Sequence, residues 1–300
     1  MGREAMGLQM VEWFFSKAAK MGRATNRRLA EHLGWIWYRI DRRHREIVLS
    51  NLELAYGNEL NQEKREAICR QVFSHFAQVI LEIPYLWILN PANVDEFAVF
   101  SGLEHFNAAM EKGKGILIFS CHFGNWEMMA LAFSLRYYTH NVVVRPLDNP
   151  YFDLLIDKIR CRTGNRTIPK KGSVRQLLRL MRQKEIVALL IDQNVDWYDG
   201  VFVPFFREIA CTNKAAAVLA LRTGVPVVPI LNARQPDGRY HIFVLPEVPL
   251  INTGDLIRDT EENMANFNRI IEQVVRRNPE QWFWMHQRWK TRPHQPWPKQ

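Results

Sequence analysis

From residue 115 onward, short apolar runs alternate with amphipathic stretches, and that alternation constrains the fold more than any other feature. Residues 115–120 (GILIFS), 141–145 (NVVVR), 166–169 and 185–192 (EIVALLID) have the length and apolar character of buried strands. Helix signals fill the gaps. Asn125 caps a helix from Trp126 to about Arg136, Asn149-Pro150 opens one running to about Arg162, and Ser173 caps one reaching Lys184. An Ala-rich helix starts at Thr212 or Asn213 and stops at Gly224. Strands at 226–234 and 240–248 flank the turn Pro236-Asp237-Gly238, and a helical pair at 259–277 and 279–290 is split by Asn278-Pro279. This order predicts an α/β fold: a mostly parallel central sheet flanked by helices, its chemistry beyond the carboxyl ends of the strands.

Ahead of that unit the chain reads as helices. Ile68, Val72, Phe73, Phe76, Val79 and Ile80 form one apolar stripe ending before Pro84. Residues 8–38 set Met10, Val11, Phe14, Phe15, Leu29, Leu33, Ile36 and Trp37 among Lys and Arg, the pattern of interfacial amphipathic helices. The expected organisation is a membrane-associating helical segment at 1–90 and an α/β domain at 91–300, forming one structural domain overall.

Charge is unevenly placed. The net +9 resides in two ends: residues 1–46 hold ten basic and five acidic side chains, and 276–300 hold six and one. Those ends also carry seven of the ten tryptophans, at 13, 35, 37, 282, 284, 289 and 297. Bases mixed with Trp suit an anionic lipid surface or a nucleic acid, the alternative being a solvated basic surface over core tryptophans. No motif of a nucleic-acid-binding module accompanies the charge, so nucleic acid is set aside. No run without a charged residue is longer than 83–94, which contains two prolines and is shorter than the ~18–20 apolar residues that cross a bilayer. Glu12 and Lys17 interrupt the apolar start, so no cleavable signal peptide is expected. Cysteines at 69, 121, 161 and 211 are spaced for neither a zinc pair nor a disulfide framework. A second concentration of charge lies inside the chain: ten Lys/Arg and no acid between Asp157 and Glu185. It reads either as a solvated helix face or as a dock for an acidic partner or a phosphorylated lipid.

Four ionisable residues fall at predicted carboxyl ends. His122 follows the strand 115–120, Glu127 lies in the first turn of the next helix, Arg145 ends the strand 141–145, and Asp192 ends the strand 185–192. On one continuous helix His122 and Glu127 would diverge by about 500° of turn, so they meet only if His122 precedes the helix, where Gly124 and Asn125 place it. A carboxylate beside an imidazole fixes its tautomer and supports it as a general base. The alternative is a structural His–Glu pair at a strand–helix junction.

Several segments carry a family resemblance. Residues 121–127 (CHFGNWE) resemble the HxxxxD/E motif of glycerolipid acyltransferases. Residues 145–150 (RPLDNP), 201–206 (VFVPFF) and 279–293 (PEQWFWMHQRWKTRP) resemble the bacterial lipid A late acyltransferases, and 225–230 (VPVVPI) resembles a block of the wider superfamily. The resemblance covers nearly the whole chain and points to the lauroyl/myristoyl acyltransferases of lipid A synthesis. It implies a glycerolipid acyltransferase-like fold and acyl transfer from an acyl thioester, on acyl carrier protein or as acyl-CoA, to a hydroxyl of a membrane glycolipid. His122 would take the hydroxyl proton, Glu127 would orient the imidazole, and no acyl-enzyme, metal or cofactor would be needed. Among substrate-binding positions it suggests Arg145, Arg160, Asp192 and Asn125, the arginines suited to phosphate or developing negative charge. It implies a peripheral or monotopic protein on the cytoplasmic face of the bacterial inner membrane. Two departures stand out: an EGTR-like block is replaced by Asp192-Gln193-Asn194 with Asp199-Gly200, and the start is too charged for the membrane-spanning helix common in the family. Acylation of another lipid (a phosphatidylinositol mannoside or a lysophospholipid) and a non-enzymatic basic membrane-binding protein are the alternatives.

Overall fold

A computed structural model of the chain describes residues 13–293. Met10, Val11 and Trp297 therefore lie outside the described residues. The N-terminal part is helical: α1 (Arg23–Ile40), α2 (Arg42–Tyr56), α3 (Gln62–Leu81), α4 (Ile83–Ile88) and α5 (Val94–Phe97). The alternating unit follows, with β1 (Ala98–Ser101), α6 (Leu103–Glu111), β2 (Ile116–Ser120), α7 (Trp126–Arg136), β3 (Asn141–Val144) and α8 (Pro150–Cys161). It continues through β4 (Arg166–Pro169), α9 (Val174–Arg182) and β5 (Ile186–Leu190). A hairpin of β6 (Gly200–Phe205) and β7 (Glu208–Asn213) precedes α10 (Ala215–Thr223), β8 (Val227–Arg234), β9 (Tyr240–Val244) and α11 (Leu256–Arg277).

The seven-stranded sheet has the order β1-β9-β8-β2-β5-β3-β4. Neighbouring strands are parallel except β8 and β9, which form an antiparallel hairpin. β2 lies at the centre with all five residues buried, which explains why ILIFS is apolar without alternation: helices cover both faces. The direction of the sheet changes beside β2, with β5 on one side and β8 on the other, so its carboxyl end opens at a topological switch point. The N-terminal helices join the same core, where Val48, Leu52, Val72, Phe73 and Phe76 pack with Leu117, Phe119 and Val187.

Backbone contact sets how α1 meets α3. A Cβ at Gly34 would lie 2.4 Å from the Cα of Ser74. Gly34→Val is therefore expected to destabilise the protein by about 2 kcal/mol or more, since neither backbone can yield without separating the helices. A thermal melt indistinguishable from that of the parent would show that the helices do not touch there. The large apolar residues Leu29, Leu33, Ile36 and Ile40 form a separate stripe on α1 that faces outward, flanked by Arg39, whose guanidinium lies over the Trp35 ring.

Three expectations need correction. Residues 279–290 do not form a helix; a single 3-10 turn, Pro279–Gln281, is followed by an isolated bridge of Trp282 to Phe123 and then by turns. The backbone groups of this segment pair with the loop after β2, as described below. The hairpin β6–β7 and the four-residue edge strand β1 were not anticipated; they lie outside the regular alternation of strand and helix, and Pro204 interrupts β6. Ser173 makes no helix cap; its hydroxyl instead donates to the Lys170 carbonyl at 3.0 Å.

Candidate active site

Residues 121–125 leave β2 as a tight loop, and nearly every polar group of its backbone has a partner. The His122 N–H donates to Asp192 Oδ2 (2.9 Å) and the His122 carbonyl accepts from the Phe283 N–H (2.9 Å). The Phe123 carbonyl accepts from Asn232 Nδ2 (3.0 Å), and the Gly124 N–H donates to the Gln281 carbonyl (3.0 Å). The Gly124 carbonyl accepts from His75 Nε2 (3.1 Å), and the Asn125 N–H donates to Asn232 Oδ1 (2.9 Å). Gly124 is required here: its φ is +61° and a Cβ would sit 2.2 Å from Asn232 Oδ1. The loop is thus held from α3, β8 and the C-terminal segment at once, which fixes the His122 ring by fixing its backbone.

The imidazole has one ionic partner. His122 Nδ1 lies 2.8 Å from Oδ1 of Asp192, whose side chain is wholly buried two residues beyond β5. Desolvation pushes the Asp192 carboxyl up, but the facing His122 charge and hydrogen bonds outweigh it and hold the group at about 2. A carboxylate only accepts, so in the neutral imidazole Nδ1 carries the proton and Nε2 presents the lone pair. Asp192 Oδ2 accepts a further bond from the Trp282 indole N–H at 2.7 Å. Both carboxylate oxygens are therefore engaged, and the three groups form a chain from Trp282 through Asp192 to His122.

Glu127 is placed differently from expectation. It accepts from Arg160 Nε at 2.9 and 3.1 Å and also from Arg160 Nη2, a bidentate pair between α7 and α8. Burial works against the Arg160 charge, but Glu127 beside it more than compensates and raises its pKa. The partner of the imidazole is Asp192, and Glu127 reaches the histidine only through Trp126. The Trp126 indole donates to Glu127 Oε1 at 3.2 Å, and its ring stands edge-on to His122 at 4.9 Å.

Two other candidates do not join the cluster. Arg145 is 80% exposed in its side chain and pairs with Asp148 at 3.4 Å. Asn125 is fully buried: its carbonyl oxygen caps α7 on the Met128 N–H (3.0 Å) and its amide donates to Glu82 (3.0 Å), so neither end is free for substrate. Glu82 belongs to a buried network with Arg234, Tyr240 and Gln78 that supports the loop from below. Arg234 also donates to His75 Nδ1 (3.2 Å), which leaves the Nε2 proton of His75 for the Gly124 carbonyl.

Trp282, Asn232, Gln281 and His75 were not singled out as site residues. Asn232 carried a signal, a lone amide in the otherwise apolar run of β8. Trp282 stood within a resemblance motif but without a role. The C-terminal segment is itself anchored: Asn51 Nδ2 donates to the Trp284 and His286 carbonyls, and buried Arg288 donates to the Cys211 carbonyl at 2.7 Å. Trp282, Trp284 and Trp289 are buried, so these three tryptophans are core and site residues rather than a membrane belt. Cys121 is buried at the strand end, where burial holds its thiol well above the ordinary value.

An imidazole with an oriented, ionised carboxylate at the carboxyl edge of a parallel sheet defines an α/β enzyme with a candidate general base. Comparison with known proteins makes the class specific. Residues 7–291 match the family model of bacterial lipid A biosynthesis acyltransferases, and the chain belongs to that family. It is 29% identical to the lipid A biosynthesis lauroyltransferase of Escherichia coli K12 over 89% of this chain and 85% of that protein. It is 26% identical to the palmitoleoyltransferase of the same strain, over 84% of this chain and 80% of the relative. For the myristoyltransferase of that strain the identity is 24%, over 87% and 79%. The protein is accordingly an O-acyltransferase. Among the described residues no helix is long and apolar enough to cross a membrane.

Proposed function

We propose that this chain transfers a fatty acyl group from an acyl thioester, carried on acyl carrier protein or coenzyme A, to a hydroxyl of a lipid A precursor. The supporting observation is the Nδ1–Asp192 bond of His122, which leaves Nε2 as a base at the carboxyl edge of the sheet. Nε2 takes the proton of the acceptor hydroxyl as its oxygen attacks the thioester carbonyl. The tetrahedral intermediate then collapses, the C–S bond breaks, and the departing sulfur takes the proton from the imidazolium. The products are an ester and a free thiol, with no bond formed to the enzyme. Asp192 keeps the tautomer and offsets the imidazolium charge, while Glu127 holds the Arg160 guanidinium by its Nε and Nη2 edge. The remaining Nη1 edge of Arg160 is left to meet a phosphate or the developing oxyanion.

We place the protein peripherally on the cytoplasmic face of the inner membrane, with the outward stripe of α1 against lipid. The test is mass spectrometry of lipid A precursor incubated with acyl thioester and the protein. An acceptor heavier by one acyl chain, formed by the parent and absent with His122→Ala, is the expected result. Equal product from both proteins removes His122 from the reaction. No product from either, with intact thioester, removes the acceptor class.

A further inference from the structure

The loops that surround His122 expose large apolar side chains that the fold has no use for. β2, β3, β4 and β5 are parallel neighbours, so the segments following them share one edge of the sheet with His122. After β3 that edge carries Leu147, Tyr151, Phe152 and Leu154, each between 43% and 80% exposed. Tyr151, Phe152 and Leu154 occupy the head of α8, the helix whose far end supplies Arg160 to Glu127. After β5 the same edge carries Trp197 and Tyr198, also exposed, with their rings stacked at 4.0 Å. Single exposed apolar residues are ordinary, but a group collected at the mouth of a site marks an interaction surface.

The charge beside this edge identifies the occupant. Lys158 follows Leu154 by one helical turn on α8, and Lys170 and Lys171 follow β4. Among the described residues these three lysines form no ion pair, and neither do Arg175, Arg179 and Arg182 along α9. An apolar rim backed by unpaired cations matches a bilayer with anionic headgroups: rings and alkyl chains enter the acyl boundary while the bases remain at headgroup level.

We infer that the head of α8, with the loop before it, is a lipid-contacting rim that sets the His122 site directly against an anionic membrane surface. The acceptor hydroxyl then reaches Nε2 without its lipid anchor leaving the bilayer. That last consequence rests on the acyl-transfer reading above; the contact itself does not.

The experiment measures binding without turnover, so failure of the rim and failure of the chemistry are separable. The full chain is sedimented with phosphatidylcholine–phosphatidylglycerol vesicles over a salt series, alongside the variant Tyr151→Ser/Phe152→Ser/Leu154→Ser. A fall of about tenfold or more in the partition coefficient is expected for the variant. Parent binding is expected to weaken as salt rises, because the lysine contribution is screened. Partitioning equal to that of the parent means that α1 alone carries the contact and overturns the proposal. So does a self-association of the parent, without lipid, that the variant abolishes. In a second measurement a nitroxide on Tyr151→Cys should gain oxygen collisions and lose those with a water-soluble nickel complex when vesicles are added. No change in either collision rate overturns the proposal whatever the stability of the triple variant.

Discussion

Asp192→Asn is expected to lower kcat by about 10³–10⁴-fold, roughly 4–5.5 kcal/mol of transition-state stabilisation, with little change in KM. The geometry shows why so small a change is so damaging. Oδ2 of Asp192 accepts from two N–H groups, the His122 backbone and the Trp282 indole. An asparagine must put its carbonyl oxygen there, because an amide NH₂ facing two donors is unsatisfied on every side. Its NH₂ then occupies the Oδ1 position and faces His122 Nδ1. The ring responds by moving its proton from Nδ1 to Nε2, and the atom that should accept the hydroxyl proton already carries one. The fold is left nearly untouched, since volume and two of the three hydrogen bonds are kept. Steady-state kinetics read the loss, and nitrogen NMR shifts of the His122 ring report the tautomer directly. A variant within about threefold of the parent would show that the carboxylate does not govern the base.

The parts of this arrangement differ in how visible they are along the chain. Asn125 followed by an apolar helix, and four short runs at regular spacing, act locally, so β2, α7, β4 and the fold class could be read directly. The place of His122 and Asp192 at neighbouring carboxyl ends also followed, because parallel strands bring such ends together by rule. The pairing within the site did not follow. Glu127 is five residues from His122, yet the imidazole partner lies 70 residues away in the loop after β5, and Glu127 turns to Arg160 on α8. Which carboxylate wins is decided by the register of β2 with β5, where Ser120 lies opposite Leu190 and so brings the following loops side by side. The C-terminal segment was opaque for a related reason. PEQWFWMHQRW has the density of a helix, but its conformation is set by backbone bonds to residues 122 and 124, which no local signal reports. Its tryptophans, grouped with basic residues at a chain end, suggested a membrane belt. Tertiary contacts give them their place: Trp282 on Asp192, Trp284 on the Pro279 carbonyl and Trp289 on the Phe205 ring.

Steep loss of stability between about pH 6.5 and pH 4 is the second large effect expected, and it arises from three histidines rather than from the carboxylates: His75 and His140 are buried, and His286 is half-buried with its Nε2 enclosed. Burial holds His140 and His286 at about 4, and holds His75 well below the ordinary value, with the Arg234 charge acting in the same direction. Unfolded, each would titrate near about 6.5. Above that value neither state binds the proton and stability is at its full level. As the pH falls below it, the unfolded chain takes up protons that the native state refuses, so the equilibrium moves toward unfolding until the folded groups also titrate. Each histidine costs about 1.4 kcal/mol per pH unit inside the window, and three acting together cost about 4 kcal/mol per unit. The window from about 6.5 to about 4 therefore removes up to about 10 kcal/mol, enough to bring a domain in the lower two thirds or so of the usual ~5–15 kcal/mol range to its midpoint at room temperature. Asp192 acts in a lower window: its depressed folded value gives stability that is present above about 3.8 and lost only as the pH falls toward about 2. Thermal melts over a pH series separate the two. His140 supplies the control, because its ring lies against Phe133 and its Nδ1 meets only the Tyr138 carbonyl, away from the His122 cluster. His140→Gln should flatten the slope by about one third. A melting temperature constant from about pH 7 to about pH 5 would mean that the interior admits protons and that these rings are not held neutral by burial.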